Sequence, residues 1–357
     1  VKTTITVLNT LAREMGMIPP ESVDLIVTSP PYPMIEMWDC SFGGEDERIG
    51  DCLGAGRGRE AFALMHALLD AAWNECSRVL KPGGIACINI GDATRTLGGE
   101  FQLYSNHAQI LSAFIGRGYA ALPDILWRKP TNAPTKFLGS GMLPAGAYVT
   151  YEHEYILVLR KGPRRRFTSP EEKALRRESA FFWEERNVWF SDIWEGITGA
   201  GQNLSDPGVQ KRSAAFPFEI PYRLISMFSI KQDVVLDPFA GAGTTLVAAL
   251  AAGRSAIGLD KDTSLVEIAR NAVLGAKDFA NAYTRDRLCR HREFVEARTV
   301  AKEPPKYINR HFGFPVMTAQ EQDLVLDEVI EVSSNGGRIG VWYRPVDTLD
   351  TPRLRSL

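Results

Sequence analysis

The chain has 357 residues, of which 45% are apolar and 24% charged, with a formal net charge of −2. That length suits one large α/β domain with appended elements, or two smaller units, and no apolar run approaches the ~20 residues that cross a bilayer. Five scattered cysteines (Cys40, Cys52, Cys76, Cys87 and Cys289), none in a C-x-x-C pair, predict neither a disulfide framework nor a zinc site, so no metal is expected. The opening residues do not form a basic-then-apolar leader, and a cytoplasmic protein is expected. A near-neutral balance says little about nucleic acid, which leaves that question to local basic clusters.

Residues 23–27 (Val-Asp-Leu-Ile-Val) read as a buried strand running into Thr28-Ser29-Pro30-Pro31-Tyr32, where two prolines end pairing and force a loop. Residues 33–58, rich in Gly, Asp and Glu, are predicted to be a long mobile loop and a candidate lid. Apolar side chains recur at helical spacing from Arg59 to Leu80, Lys81-Pro82-Gly83-Gly84 stops that helix, and Ile85 to Ile90 follows as a strand. A second helix-to-strand unit runs from Asn106 through Gly118 to Leu122–Trp127. The β-rich stretch Tyr151 to Arg160 is predicted to pair with that strand as an antiparallel hairpin across 129–147. Residues 161–211 show no long period and read as an irregular insertion. A βαβ unit follows: helix Pro217 to Ser229, strand Asp233 to Leu236, helix Thr244 to Ala252 and strand Ser255 to Leu259, with a further helix from Asp262 to Leu274. Residues 278–357 read as an appendage containing a basic helix and a β-rich tail at Ile339 to Tyr343.

Inside the βαβ unit, Asp237-Pro238-Phe239-Ala240-Gly241-Ala242-Gly243-Thr244-Thr245 places a glycine-rich turn between a buried strand and a helix. Glycine allows close backbone approach to a ligand, and the helix start offers free N–H groups. Asp260 ends the next strand, where a carboxylate can accept both hydroxyls of a ribose, so an adenosine-type cofactor is expected. A phosphate loop would need a Gly-Lys-Ser/Thr sequence and a dinucleotide site a third glycine; neither is present.

Thr28-Ser29-Pro30-Pro31-Tyr32 resembles the catalytic tetrapeptide of amino-methyltransferases, and Asp237 to Thr245 resembles their cofactor motif. The order, catalytic motif first, resembles the circularly permuted β group of prokaryotic DNA methyltransferases. Val23 to Val27, Arg78 to Gly84, Asn89-Ile90-Gly91-Asp92, Tyr151-Glu152-His153-Glu154 and Phe216-Pro217 match further motifs, over about residues 5–275. One position departs: family members often carry a histidine four residues before the Phe-Pro pair, where this chain has Arg212. The resemblance implies a Rossmann-like class I methyltransferase fold of α/β class, mostly parallel with an antiparallel hairpin and circularly permuted, plus an insertion and a C-terminal appendage. It divides the chain into a catalytic half (1–160), a target-recognition insertion (161–211), a cofactor-binding half (212–276) and an appendage (277–357) with potential DNA contact. It further implies that Ser29, Pro30, Pro31 and Tyr32 are catalytic. By the same resemblance Thr28, Phe216, Asp237, Pro238, Phe239, Ala240, Gly241, Gly243, Thr244, Thr245 and Asp260 bind S-adenosyl-L-methionine.

An exocyclic base amine is a poor nucleophile because its lone pair is delocalised into the ring; acceptors that hold its hydrogens and aim the nitrogen suffice, without a covalent enzyme bond. The Pro30 carbonyl and Ser29 supply acceptors, and Tyr32 a face for a base flipped out of the duplex. Serine at the first tetrapeptide position resembles cytosine-N4 enzymes, whereas adenine-N6 enzymes usually have aspartate. The expected reaction is methyl transfer to cytosine N4 in double-stranded DNA; adenine N6, an RNA amino group or an inactive nucleic-acid binder are the alternatives. A homodimer and a cognate restriction endonuclease are compatible partners, in a prokaryotic, nucleoid-associated setting. Arg164, Arg165 and Arg166 are the expected phosphate contacts, within an interval that also holds Arg176, Arg177, Lys211, Arg212, Phe181, Phe182, Trp183, Trp189 and Trp194. The run Arg285, Arg287, Arg290, His291, Arg292 is either a second DNA contact or a merely exposed helix face.

Overall fold

The computed structural model describes residues 2–129, 138–198 and 216–347. In chain order the first half contains β1 (Lys2–Asn9), β2 (Val23–Thr28), α1 (Asp39–Gly43), α2 (Glu47–Gly54), α3 (Gly58–Val79) and β3 (Leu80–Ile90). Next come β4 (Ala93–Leu97), β5 (Glu100–Tyr104), α4 (Asn106–Gly116), β6 (Tyr119–Ala121), β7 (Ile125–Arg128), β8 (Leu138–Gly139), β9 (Ala147–Tyr148) and β10 (His153–Lys161). The second half contains α5 (Pro170–Glu178), α6 (Trp183–Trp189), β11 (Ile193–Trp194), α7 (Glu219–Phe228), β12 (Val234–Asp237), α8 (Thr244–Ala251), β13 (Ser255–Asp260), α9 (Thr263–Leu274) and α10 (Lys277–Ala301). Two short strands, β14 (Tyr307–Ile308) and β15 (Pro315–Val316), precede the terminal pair β16 (Asp327–Asn335) and β17 (Arg338–Pro345).

Among the described residues the main sheet runs β11-β7-β10-β3-β2-β12-β13-β1-β17-β16, with β6 also paired to β10. Its centre, β3-β2-β12-β13-β1, is parallel throughout. All six residues of β2 are buried, as expected of a strand covered on both faces. Alternation splits the core into two layers: Leu25, Val27 and Val235 face one cluster, Ile26 and Leu236 the other. The α/β fold class and the antiparallel hairpin are as expected, with Tyr155 of β10 opposite Leu126 of β7.

Parallel pairing brings the carboxyl ends of β1, β2, β3, β12 and β13 to one edge of the sheet. Because β10 is antiparallel to β3, its amino end, carrying His153 and Glu154, reaches the same edge, as does the end of β7 before Lys129. In open α/β sheets ligands bind in the crevice outside the strand carboxyl ends.

Four segments differ from their sequence expectation. Residues 33–58 form a 3₁₀ turn and the helices α1 and α2; Asp46 caps α2, and Phe42, Ile49 and Cys52 are buried, an apolar stripe that the intervening glycines obscure. The insertion is ordered where described: Ser169 and Glu172 form a capping box on α5, and β11 pairs with β7 at the sheet edge. Its residues 199–211 lie outside the described residues, as do Lys211 and Arg212. The β-rich tail is part of the main sheet, β17 pairing with β1, a strand that the chain's opening residues did not announce. The basic run on α10 is split rather than uniformly exposed: Arg287 and His291 are buried, Arg285 is half-buried, and Arg290 and Arg292 are exposed. Arg287 donates both ends of its fork to Glu185 at 2.6 Å, and buried His291 contacts Glu184 at 2.7 Å while stacking on Phe182. Arg285 pairs with Glu328 and Arg290 with Asp286.

Candidate functional site

A cavity of about 1200 Å³ opens at the carboxyl edge of the sheet. Its wall brings together Ser29, Pro30, Pro31 and Tyr32 after β2 with Pro238, Phe239 and Gly241 after β12 and Asp260 at the end of β13. That volume exceeds the usual range for one small ligand, about 300–1,000 Å³, and leaves room for a cofactor and a base together. Thr28, Phe216, Asp237, Ala240, Gly243, Thr244 and Thr245 are not on the wall. Phe216 packs instead in the hydrophobic core.

Asp237 acts from behind the wall. It is 2% exposed, and its carboxylate accepts from Thr28 Oγ1 at 2.7 Å, from Thr245 Oγ1 at 2.6 Å and from the Phe239 N–H at 3.0 Å. One carboxylate therefore ties the end of β2, where the Ser-Pro-Pro-Tyr loop begins, to both ends of the glycine-rich turn. Burial pushes the Asp237 carboxyl up to about 6, against the pull of the Thr245, Thr28 and Phe239 donors. Gly243 closes the turn at φ 88°, and a Cβ there would lie 2.9 Å from that of Ala269 on α9, so both the backbone and the packing demand glycine.

Asp260 accepts from the Gly241 N–H at 3.0 Å through one oxygen and from the Asp262 N–H at 2.9 Å through the other. Each oxygen retains a lone pair for a hydroxyl of a ligand. Burial raises its pKa. These features fit a ribose-bearing cofactor: a wide cavity, a glycine turn presenting backbone, and a carboxylate beside it. Over that end of the cavity, Glu45 from the α1–α2 turn pairs with Lys261 at 2.6 Å and with Arg13, so the segment 33–58 is tied to the Asp260 side.

The other end of the cavity is polar in a way the motifs alone did not reveal. Tyr32 donates its hydroxyl to Glu154 Oε2 at 2.9 Å, accepts from Asn89 Nδ2 at 2.8 Å and lies 3.0 Å from Ser29 Oγ. Asn89 Nδ2 also reaches Glu154 Oε2 at 2.7 Å, and Lys129 Nζ lies 2.8 Å from Glu154 Oε1. Gly91 makes room for this arrangement, since a Cβ there would meet the Tyr32 ring at 3.0 Å. Nearby, buried Asp92 accepts from His107 Nδ1 at 2.7 Å and from the Tyr151 hydroxyl at 3.0 Å. Asn89 and Glu154 stood inside recognisable motifs, but their roles follow only from strand pairing; Lys129 and His107 carried no signal.

Arg164, Arg165 and Arg166 are not brought to the cavity. Arg165 makes a bidentate pair with Asp233 at 2.7 and 3.0 Å and approaches Asp24, at the amino ends of β12 and β2. From Asp24 to Thr28 the strand spans roughly 13 Å at about 3.3 Å per residue, so this cluster sits at the opposite edge of the sheet. Arg164 and Arg166 are exposed beside it. Trp189 and Trp194 are core residues, not wedges.

The model of the DNA methylase family for N6 and N4 enzymes matches residues 23–271. The Type II methyltransferase M.MthZI of Methanothermobacter thermautotrophicus is 47% identical over 326 residues, covering 91% of this chain and 90% of that protein. The Type II methyltransferase M.MjaI of Methanocaldococcus jannaschii is 49% identical over 272 residues, covering 72% and 87%. A Thermus thermophilus protein assigned as a DNA modification methylase, solved in complex with S-adenosyl-L-methionine, superimposes with a TM-score of 0.59 at 32% identity, covering 76% of this chain and 95% of that one.

Two outcomes are expected. Arg165→Ala leaves Asp233 without its partner and lowers stability; because Arg165 is partly exposed the loss is on the order of 2 kcal/mol, less than for a fully buried pair. In that variant Tm falls while the dissociation constant for duplex DNA stays put, and the reverse pattern would restore Arg165 as a phosphate contact. For Asp237 the folded value of about 6 lies above the unfolded one, so the folded state holds the proton more tightly. Its contribution to stability is therefore complete below about pH 4 and lost as pH rises through 6. Asp237→Asn removes this dependence, so Tm of the variant minus that of the parent should climb between pH 4.5 and 7 and then flatten; a difference independent of pH would contradict it.

Proposed function

This chain belongs to the DNA methylase family and uses S-adenosyl-L-methionine, and on that premise we propose that it methylates the N4 amino group of cytosine in duplex DNA. The observation that carries the reading is the shared cavity, in which the Ser29 to Tyr32 loop faces the Gly241 and Asp260 side across one space. When bound, the cofactor supplies an electrophilic methyl group on a sulfonium. The chain's own residues do the rest. Asp260 offers lone pairs to a ribose, and Gly241 offers backbone at close range. Ser29 and the Pro30 carbonyl hold the amino hydrogens and turn the nitrogen lone pair toward the methyl group.

An amino group that is paired inside a duplex cannot reach such a cavity, so the base enters flipped out of the stack. Tyr32, whose hydroxyl is anchored at Glu154 and Asn89, presents a ring held in fixed orientation on the cavity wall. Serine at position 29, in place of a carboxylate, supports cytosine N4 over adenine N6. Residues 161–211 remain our candidate for target recognition, through surfaces other than Arg165 and the buried Trp189 and Trp194.

Nucleoside mass spectrometry of plasmid DNA methylated by the purified protein tests the choice of base. N4-methylcytosine is expected, and N6-methyladenine in its place would overturn that choice. Asp260→Ala should weaken S-adenosyl-L-methionine binding by roughly tenfold or more, the effect of losing charge-assisted hydrogen bonds worth about 1.5–3 kcal/mol; an unchanged calorimetric dissociation constant would remove Asp260 from the cofactor site.

A further inference from the structure

We infer that Glu154 is the terminal acceptor of the proton shed by the target amine, reached through a relay of Ser29 and Tyr32. This rests on the amino-methylation reading above and holds for either exocyclic base amine. Ser29 is on the cavity wall; its Oγ lies 3.0 Å from the Tyr32 hydroxyl, which lies 2.9 Å from Glu154 Oε2.

The directions of these hydrogen bonds follow from what each partner can do. A carboxylate only accepts, so the Tyr32 proton points at Glu154. Asn89 Nδ2 can only donate, so the Tyr32 oxygen accepts from it at 2.8 Å. The remaining contact must then run from the Ser29 hydroxyl to the Tyr32 oxygen. Ser29 Oγ also accepts a long contact from Asn89 Nδ2 at 3.5 Å and keeps a lone pair for the cavity, an acceptor backed by a carboxylate two links away. Burial, and then the neighbouring Glu154 charge, hold the Tyr32 phenol well above its ordinary value, so it stays protonated before the reaction.

As the amine nitrogen forms its bond to the methyl carbon, the carbon–sulfur bond breaks with its electron pair left on sulfur, and the nitrogen becomes cationic. One N–H proton passes to Ser29 Oγ, the Ser29 proton to the Tyr32 oxygen, and the Tyr32 proton to Glu154 Oε2. The product amine, serine and tyrosine end neutral, and Glu154 ends as the acid. Lys129, 2.8 Å from Glu154 Oε1 and half exposed, lies between that acid and solvent. The charged and titratable groups around Glu154 are Lys129 beyond β7 and Tyr32 in direct contact, Asp92 after β3, and Glu152 and His153 beside it in sequence, all on the same cavity wall.

The test is single-turnover methyl transfer to duplex DNA for the parent, Glu154→Gln, Tyr32→Phe and the double variant, with cofactor affinity measured alongside. Glu154→Gln and Tyr32→Phe should each slow transfer by on the order of 10- to 100-fold, at the low end of general-base effects because the acceptor is remote. Cofactor affinity should stay within about twofold. The double variant should be no slower than the slower single one, because both substitutions break the same chain. Parental rates in Glu154→Gln, or a double variant slowed by the product of the two single losses, would overturn the relay alone. A parent that binds the cofactor yet transfers no methyl group to DNA would overturn the function beneath it as well. If Glu154→Gln does not fold, Tyr32→Phe decides: a parental rate there would equally break the chain.

Discussion

The site depends on one buried carboxylate. Asp237 ends a central strand and holds three donors at once, from Thr28, Thr245 and Phe239. A carboxylate buried this deeply is tolerated only when its lone pairs are filled, so the donors are as necessary to Asp237 as it is to them. The result is that the loop presenting Ser29 and the turn presenting Gly241 cannot shift independently. An in-line transfer between two bound molecules requires this of a protein, because placement errors of about 1 Å are costly.

Topology supplies the remaining groups. Parallel pairing sends the carboxyl ends of five strands to one edge, and the antiparallel β10 returns with its amino end there, delivering Glu154 against Asn89 and Tyr32. A protein with a wholly parallel sheet would have no strand start at this edge. Two polar clusters thus lie apart along the cavity, with Asp260 and the Glu45–Lys261 pair at one end and the Glu154 cluster at the other.

The two loops were legible in the sequence because their signals are local. Pro30 and Pro31 cannot continue a strand, and Gly241 and Gly243 take up positive φ. What escaped is non-local. The strand β1 is a mixed Thr, Ile and Val segment, recognisable only by its partners β13 and β17. The helices α1 and α2 were hidden by glycines, and the Glu45–Lys261 pair joins residues far apart in sequence. The arginine-rich runs could not be resolved residue by residue for a related reason: charge is visible in a sequence, but Asp233 beside Arg165 and Glu185 beside Arg287 are visible only in the fold.

The coupling of the two loops is open to a direct measurement, calorimetric titration of S-adenosyl-L-methionine into Thr28→Val together with methyl transfer to duplex DNA. Thr28 is buried and off the cavity wall, and valine keeps its shape while removing one hydrogen bond to Asp237. The expected result is a fall of roughly tenfold in both cofactor affinity and turnover, matching the loss of a charge-assisted bond. A folded variant that binds and transfers like the parent would contradict the claim that Asp237 makes one site of two loops.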